Sequence, residues 1–209
     1  PEVIDDPGPL DPLQWERLRR YPMASAAVIL GGGVPGTEVA AVMALEHKRR
    51  PDGGGYPALQ DGRDVHPAAA LLSVVDVYEA LTARRPYRRA ETNGNAVRIV
   101  ATGSGSEFDP GMVNLFLSRF GHTPPGSCFR LRSGEVLLGV EAIDGGVRGL
   151  IAEDADGELL HIPQPTHVPF DAIQGELSVL ETSVRPAAYL DHVEAIERRT
   201  QGRPSGGGR

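Results

Sequence analysis

The pattern of the sequence changes between residues 121 and 129, and this change constrains the fold more than any other feature. Before it, apolar runs with helical spacing alternate with loops rich in glycine and proline. After it, short strand-like runs are separated by turn sequences such as SGE, DGG and ADG. The sequence therefore predicts a mainly α fold, in which a helical bundle is followed by a small β unit and a C-terminal helix.

We expect the chain to divide where its pattern changes. The predicted helical domain takes residues 1–122, the β extension takes residues 123–182, and a C-terminal helix with a flexible tail takes residues 183–209. Four strand-like runs fall in the β extension, namely CFRLR, EVLLGVEAI, VRGLIAED and ELLHIP. The last helix is expected to begin at Pro186, and two roles stay open for it, packing within the chain and contact in a homodimer.

Several helix starts have recognisable local signals. Asp11 suits an N-cap, Pro12 suits the first helical turn, and Gln14 completes a capping box. Pro22 predicts a bend or a new start in that first helix. Thr37 is the predicted cap of a second helix that runs to residue 50. Further helices are expected over residues 67–83, over residues 95–102, and from Pro110 with Asp109 as its cap.

Composition excludes several classes of function. The chain of 209 residues has a formal net charge of −7, which argues against binding a nucleic acid polymer through its phosphates. Its one cysteine, Cys128, excludes an internal disulfide framework and a cysteine-rich zinc site. No apolar run approaches the roughly 20 residues that span a bilayer. We therefore expect a cytoplasmic protein without a membrane span in this chain.

Two segments carry a family resemblance, EHKRRPDGGGYP at residues 46–57 and DVYEALTARRPYR at residues 76–88. They resemble the HD-GYP family, in which two histidines precede Asp-Gly-x-Gly-Tyr-Pro and a later helix carries Asp-Val-Tyr-Asp-Ala-Leu-Thr. Flanking matches lie at residues 7–22 and 105–113, so the resemblance covers about residues 1–122. It implies an HD-like helical bundle, the fold of bacterial cyclic di-GMP phosphodiesterases.

The resemblance places two metal-ligand positions in this sequence, His47 and Asp76. Asp76 also stands out by itself, because it interrupts an apolar helical run and a carboxylate is rarely buried there without a partner. Lys48 replaces the second histidine of the family, and an ammonium group offers no lone pair to a metal. Tyr21 replaces a further histidine ligand. The alternative for Asp76 is an exposed position or an ion pair with one of Arg84, Arg85 and Arg88.

The histidine–aspartate pair that gives the family its name is absent from this sequence. In the family it lies upstream of the loop that opens this chain, so we expect either that it precedes Pro1 or that the gene lacks it. The family activates water between two or three iron or manganese ions, which requires about six protein ligands. Two remnant ligands beside the cations Lys48, Arg49 and Arg50 predict that no metal cofactor is held.

The resemblance also implies positions for ligand binding that do not involve a metal. Gly55, Tyr56 and Pro57 keep the loop that shapes the substrate mouth and that can dock a GGDEF-type cyclase. Arg85 and Arg88 match positions that contact the phosphates of the ligand, for which guanidinium groups are well suited. The alternatives are that Tyr56 only anchors its loop and that the arginines only complement the end of a helix.

Three functions remain open from the sequence. The first is a degenerate, non-catalytic HD-GYP module of bacterial signalling that binds a protein partner or cyclic di-GMP. The second is a metal-dependent cyclic di-GMP phosphodiesterase whose missing ligands lie upstream in a longer protein. The third is a structural remnant without ligand or partner.

Overall fold

A computed structural model describes residues 11–58, 63–85 and 88–194, which contain five complete α-helices, the start of a C-terminal helix and one five-stranded antiparallel sheet. The helices are α1 Pro12–Gly31, α2 Glu38–Glu46, α3 Pro67–Thr82, α4 Asn93–Thr102 and α5 Pro110–Phe120. The strands are β1 Cys128–Leu131, β2 Val136–Ile143, β3 Gly146–Glu153, β4 Leu159–Pro169 and β5 Ile173–Leu177. The predicted order of helices followed by a β unit is confirmed. The fold as a whole is mixed α and β and not clearly mainly α, because the sheet is a substantial element with its own core.

The chain divides into two compact units. The first unit takes the chain up to Glu91 together with Ala96–Arg119, and therefore holds α1, α2, α3, most of α4 and nearly all of α5. The second unit takes Thr92–Asn95 and the chain from Phe120 onward, and it holds the sheet. None of the helices in the described residues is long and apolar enough to cross a membrane.

Two of the predicted helix starts are confirmed in detail. The Asp11 carboxylate accepts the Gln14 backbone N–H at 2.7 Å, and the Gln14 side chain accepts the Asp11 backbone N–H at 2.8 Å. At the start of α5, the Asp109 carboxylate accepts the Met112 backbone N–H at 3.0 Å. These side chains satisfy backbone donors that the first turn of a helix leaves without partners.

Two other predictions about the helices need correction. The first helix does not restart at Pro22, since α1 continues through it to Gly31. Pro22 is fully buried, and this burial offsets the one backbone hydrogen bond that its ring removes. Thr37 stands at the cap position of α2, but its hydroxyl donates to the Val34 carbonyl at 2.8 Å instead of capping the helix. That helix ends at Glu46, four residues before the predicted end at residue 50.

The first unit has one apolar cluster formed by α3, α4, α5 and the turn before α5. Its aromatic members include Phe116, whose ring centroid lies 5.3 Å from that of Tyr78 on α3. The buried members of the cluster are Val74, Val97, Val100, Phe108, Val113 and Phe116. This cluster fixes α3, the helix that carries Asp76, against the following helices.

The second unit is an antiparallel sheet with the strand order β4-β3-β2-β1-β5. The two edge strands are joined only by the short 3-10 turn Phe170–Ala172, so the sheet must curl to bring its edges together. Apolar side chains are buried on both faces. One cluster contains Cys128, Val136, Leu138, Val140, Leu150 and Ala152, and the other contains Phe129, Leu131, Leu137, Val147 and Val168. Burial raises the pKa of the Cys128 thiol to about 11, which favours an inert core residue.

The strand predictions were correct for four runs and missed β5. Strand β4 also extends beyond the predicted run to Pro169, although it contains Pro163 and Pro165. Prolines are compatible with this strand because it lies at an edge of the sheet and needs hydrogen-bond partners on one side only.

The predicted C-terminal helix begins at Pro186 with the 3-10 turn Pro186–Tyr189 and is helical to residue 194. Its continuation and the predicted tail lie outside the described residues. Tyr189 is buried against the sheet, and its hydroxyl lies 3.3 Å from the Leu160 carbonyl and 3.4 Å from the Ala152 carbonyl. The first turn of this segment therefore forms part of the core of the second unit.

We expect Leu150→Ala to destabilise the second unit by about 2–5 kcal/mol, because Leu150 is completely buried and its removal leaves a cavity. Chemical denaturation followed by far-ultraviolet circular dichroism measures the loss. Leu159→Ala is the matched control, since Leu159 is 41% exposed on the edge strand. An equal effect of the two substitutions would contradict the assigned core.

Candidate functional site

The loop that follows α2 closes on itself. The Arg50 backbone N–H donates to the Gly54 carbonyl at 3.2 Å, and the Tyr56 backbone N–H donates to the Lys48 carbonyl at 3.0 Å. These two bonds bring the start and the end of the loop side by side. As a result, the side chains of Lys48 and Tyr56 lie on the same part of the first unit.

Gly55 is the residue that permits this closure. Its φ angle is +78°, and a Cβ atom at this position would lie 2.1 Å from the Lys48 carbonyl oxygen. The left-handed conformation disfavours other residues, and the close approach of the backbone excludes any side chain. The glycine of the Gly-Tyr-Pro sequence is therefore required for the shape of the loop.

Tyr21 and His47 form a hydrogen-bonded pair. The Tyr21 hydroxyl lies 2.6 Å from His47 Nε2, while His47 Nδ1 lies 3.0 Å from the Ala44 carbonyl and 3.2 Å from the Met43 carbonyl. Carbonyl oxygens only accept, so Nδ1 carries a proton and donates. Burial raises the pKa of Tyr21 well above its usual value, so the phenol stays protonated and donates to Nε2. The imidazole lone pair that a metal would need is thus engaged by Tyr21.

Lys48 and Asp76 form an ion pair between the loop and α3. The Lys48 ammonium nitrogen donates to Asp76 Oδ2, and both side chains are partly exposed. The same carboxylate raises the pKa of Tyr21 and of Tyr56, after the larger effect of burial, so it lies near both phenols. Asp76 is therefore neither an isolated exposed residue nor a partner of the arginines that follow α3.

These four side chains do not fit a metal centre of the phosphodiesterase type. A phenol is bonded to the imidazole and an ammonium is bonded to the carboxylate, so each potential donor is paired with a group that is not a metal. Within residues 11–58, 63–85 and 88–194, no three His, Cys, Asp or Glu side chains converge as a metal ion would require. The charges of this site are those of its own side chains.

A cleft of about 370 Å³ opens beside the ion pair. Four cationic side chains line it, together with one carboxylate, Glu107. Aromatic rings form part of its wall. The residues that carry these features are Trp15, Arg19, Lys48, Arg49, Arg50, Tyr56 and Glu107. Such a combination of cations and flat rings suits a ligand that has both an anionic group and an aromatic ring.

Glu46 is a completely buried carboxylate immediately before His47, and sequence reasoning missed its role. It accepts the His66 backbone N–H at 2.8 Å and an Arg63 guanidinium N–H at 3.2 Å, and it lies 3.6 Å from Arg49 Nη1. Arg49 thus forms an ion pair with this buried carboxylate. The available signal was an acidic residue at the end of an otherwise apolar helix.

The predicted phosphate-binding arginines lie elsewhere on the first unit. Arg88 donates to the Ala80 carbonyl at 2.6 Å, and Arg85 lies 3.5 Å from a Glu79 carboxylate oxygen. Neither side chain lines the cleft, and neither does Pro57, whereas Gly55 and Tyr56 do.

Trp15 and Arg19 of α1 line the same cleft, and sequence reasoning did not select them. They are four residues apart, and the Arg19 guanidinium lies 6.0 Å from the centroid of the Trp15 ring. The sequence signal was the single tryptophan of the chain with an arginine one helical turn later.

Two constraints act on Gly55, its positive φ angle and the close approach of the Lys48 carbonyl, and substitution of two glycines in the loop after α2 separates their costs. Gly53 also has a positive φ angle, +81°, but a Cβ atom there would meet nothing within 4 Å. We expect Gly53→Ala to cost about 1–2 kcal/mol through the left-handed conformation alone. Gly55→Ala should cost about 3 kcal/mol or more, because the Lys48 carbonyl must also move. Thermal unfolding measures both, and equal losses would contradict the close approach.

Comparison with known proteins identifies the relatives of this chain. It is 32% identical to a cyclic di-GMP phosphodiesterase of Pseudomonas aeruginosa over 134 residues, which are 64% of this chain and 32% of that protein. A cyclic di-GMP phosphodiesterase response regulator of Xanthomonas campestris is 32% identical over 115 residues, 55% of this chain and 30% of the regulator. A 3'3'-cGAMP-specific phosphodiesterase of Vibrio cholerae is 25% identical over 118 residues, 56% of this chain and 23% of that enzyme.

The chain spans about a third or less of the length of these curated relatives. The sequence model of the HD domain family matches residues 2–112, which include the Tyr21–His47 pair, the loop after α2 and the Lys48–Asp76 ion pair. Since this match covers more than half of the 209 residues, the chain belongs to the HD domain family.

Proposed function

We propose that this HD domain is a non-hydrolytic module of cyclic dinucleotide signalling, which binds a ligand without cutting a phosphodiester bond. The observation that carries the proposal is the ion pair between Lys48 and Asp76. A metal ion at Asp76 would have to displace the ammonium group and would be repelled by it. Without such an ion, nothing at this position lowers the pKa of an attacking water.

The ligand class follows from the relatives and from the cleft. Two of the relatives are named for cyclic di-GMP and one for 3'3'-cGAMP, and both molecules are cyclic dinucleotides. The cleft offers cations and aromatic rings, which suit phosphates and bases. Cyclic di-GMP is therefore the first ligand to test, with Arg85 and Arg88 as further proposed contacts.

A protein partner is a second candidate for the same domain. The tip of the loop after α2, at Asp52, Gly53 and Gly54, is exposed, while the closure at Gly55 gives it one defined shape. An exposed and well-defined loop is a suitable docking element. A GGDEF-type cyclase is the partner we propose for it, in the cytoplasm, with residues 1–122 as the domain that docks.

The competing function is a phosphodiesterase with two or three iron or manganese ions. It requires ligands from outside the described residues and requires Lys48 to leave Asp76. The two functions therefore differ in the metal content of the protein and in hydrolysis.

The sharpest test restores histidines at the two replaced positions. We expect the purified chain to contain well below one iron or manganese ion per molecule and to leave cyclic di-GMP intact. The double variant Tyr21→His and Lys48→His should bind Mn²⁺ at least about tenfold more tightly, because two paired groups become additional ligands beside His47 and Asp76. Isothermal titration measures the affinity, and elemental mass spectrometry measures the metal content.

A matched control adds two histidines away from the site, Arg20→His on α1 and Arg132→His in the second unit. It should leave the affinity for Mn²⁺ at the level of the unmodified chain. Stoichiometric metal in the unmodified chain together with conversion of cyclic di-GMP to a linear product would overturn the proposal in favour of the enzyme.

A further inference from the structure

The cleft of the first unit concentrates positive charge in an acidic chain. The whole chain has a formal net charge of −7, yet four cations and only one carboxylate line this cleft. A local excess of cations in a concave surface attracts anions even when the net charge of the protein is negative.

Three of the four cations have donor groups that their present partners do not use. Arg49 is paired with the buried Glu46. Arg50 lies 3.5 Å from Glu107, and the side chains of Arg50 and Glu107 are each about half exposed. The Lys48 ammonium gives one of its three N–H groups to Asp76. Arg19 has no carboxylate partner within the described residues.

Two aromatic rings complete the same wall. Trp15 is 44% exposed beside Arg19, and Tyr56 also borders the cleft. A large aromatic ring that stays half exposed next to unused guanidinium donors is available to stack on a planar ligand. Burial and Asp76 raise the pKa of the Tyr56 phenol, and Arg19 partly opposes this effect, so Arg19 lies near Tyr56.

The size of the cleft limits the ligand. Its volume of about 370 Å³ lies near the lower end of the roughly 300–1,000 Å³ found for small-molecule sites. One nucleotide, with its base against Trp15 and its phosphate among the cations, matches this volume better than two nucleotides together. The same chemistry is present in a free nucleoside monophosphate and in one half of a cyclic dinucleotide.

We infer that this cleft binds one nucleotide unit through its own cations and without a metal ion. The Lys48 ammonium takes the place of the metal at the phosphate, Arg19 and Arg50 contact the remaining phosphate oxygens, and the base stacks on Trp15. This inference rests on the proposed non-hydrolytic function, and it adds the binding residues and the independence from metal. The inference assigns ligand contacts to Trp15, Arg19 and Arg50, which were not among the ligand-binding positions implied by the family resemblance.

The single tryptophan of the chain reports directly on this site. Titration of the full chain with guanosine 5'-monophosphate, with cyclic di-GMP and with inorganic phosphate is followed by Trp15 fluorescence and by calorimetry. In excess chelator we expect both nucleotides to bind and to quench the fluorescence, and phosphate to compete with them. Affinity should fall with added salt, because the contacts are ionic.

Matched variants of neighbouring arginines test the contacts. Arg19→Gln should weaken nucleotide binding about tenfold or more through the loss of a charged hydrogen bond. Arg20→Gln is the control, because Arg20 is the next residue of α1, is exposed, and pairs with Glu16 on the surface. Lys48→Gln should weaken binding further, since it also leaves Asp76 without its cation.

The outcomes separate this inference from the proposed function. Binding of guanosine 5'-monophosphate alone supports the site and contradicts a cyclic dinucleotide as ligand. If cyclic di-GMP binds without a change in Trp15 fluorescence, and Arg19→Gln does not weaken this binding, the inferred site is wrong while the proposed function stands. Binding that requires added Mn²⁺, or no nucleotide binding at all, overturns the inference.

Discussion

Glu46 holds together three of the segments from which the site is built. A completely buried carboxylate is costly unless cations and hydrogen-bond donors surround it. Here an Arg63 guanidinium N–H and the His66 backbone N–H, both in the segment that leads into α3, donate to the carboxylate, and Arg49 in the loop after α2 forms an ion pair with it at 3.6 Å. The end of α2, the loop and the start of α3 therefore share one centre of charge. The ion pair of Lys48 and Asp76 beside the cleft depends on this arrangement.

Around that centre, the proposed function assigns the electrostatic role of a metal to fixed side-chain charges. In a metal-dependent centre, several side chains provide lone pairs, and the cation that they bind comes from solution. In this chain a side chain provides the cation, because the Lys48 ammonium group is paired with the Asp76 carboxylate. The lone pair of His47 Nε2 accepts a hydrogen bond from the Tyr21 phenol. In the proposed non-hydrolytic function, such a centre attracts phosphates without a Lewis acid to activate water, so that ligand binding is separated from hydrolysis.

The parts of this structure that were predictable from sequence are those that depend on neighbouring residues. The cap of Asp11 acts three residues away and was predicted correctly. The partner of Asp76 was not, because the sequence offered nearby arginines while the actual partner, Lys48, comes from a loop 28 residues earlier. The same reason explains the missed role of Glu46 and the missed strand β5, whose pairing with β1 spans most of the second unit. Long-range packing decided each of these.

The prolines of strand β4 have a consequence for association with other chains. Pro165 and Pro169 are four residues apart in the part of β4 that pairs regularly with β3, so their backbone nitrogens point to the same side of the strand. Since the ladder between β4 and β3 is formed, that side faces away from the sheet. This side of β4 therefore lacks hydrogen-bond donors at Pro165 and Pro169. An additional strand, whether from a peptide or from a second copy, would find few bonds there, and edge-to-edge aggregation is disfavoured.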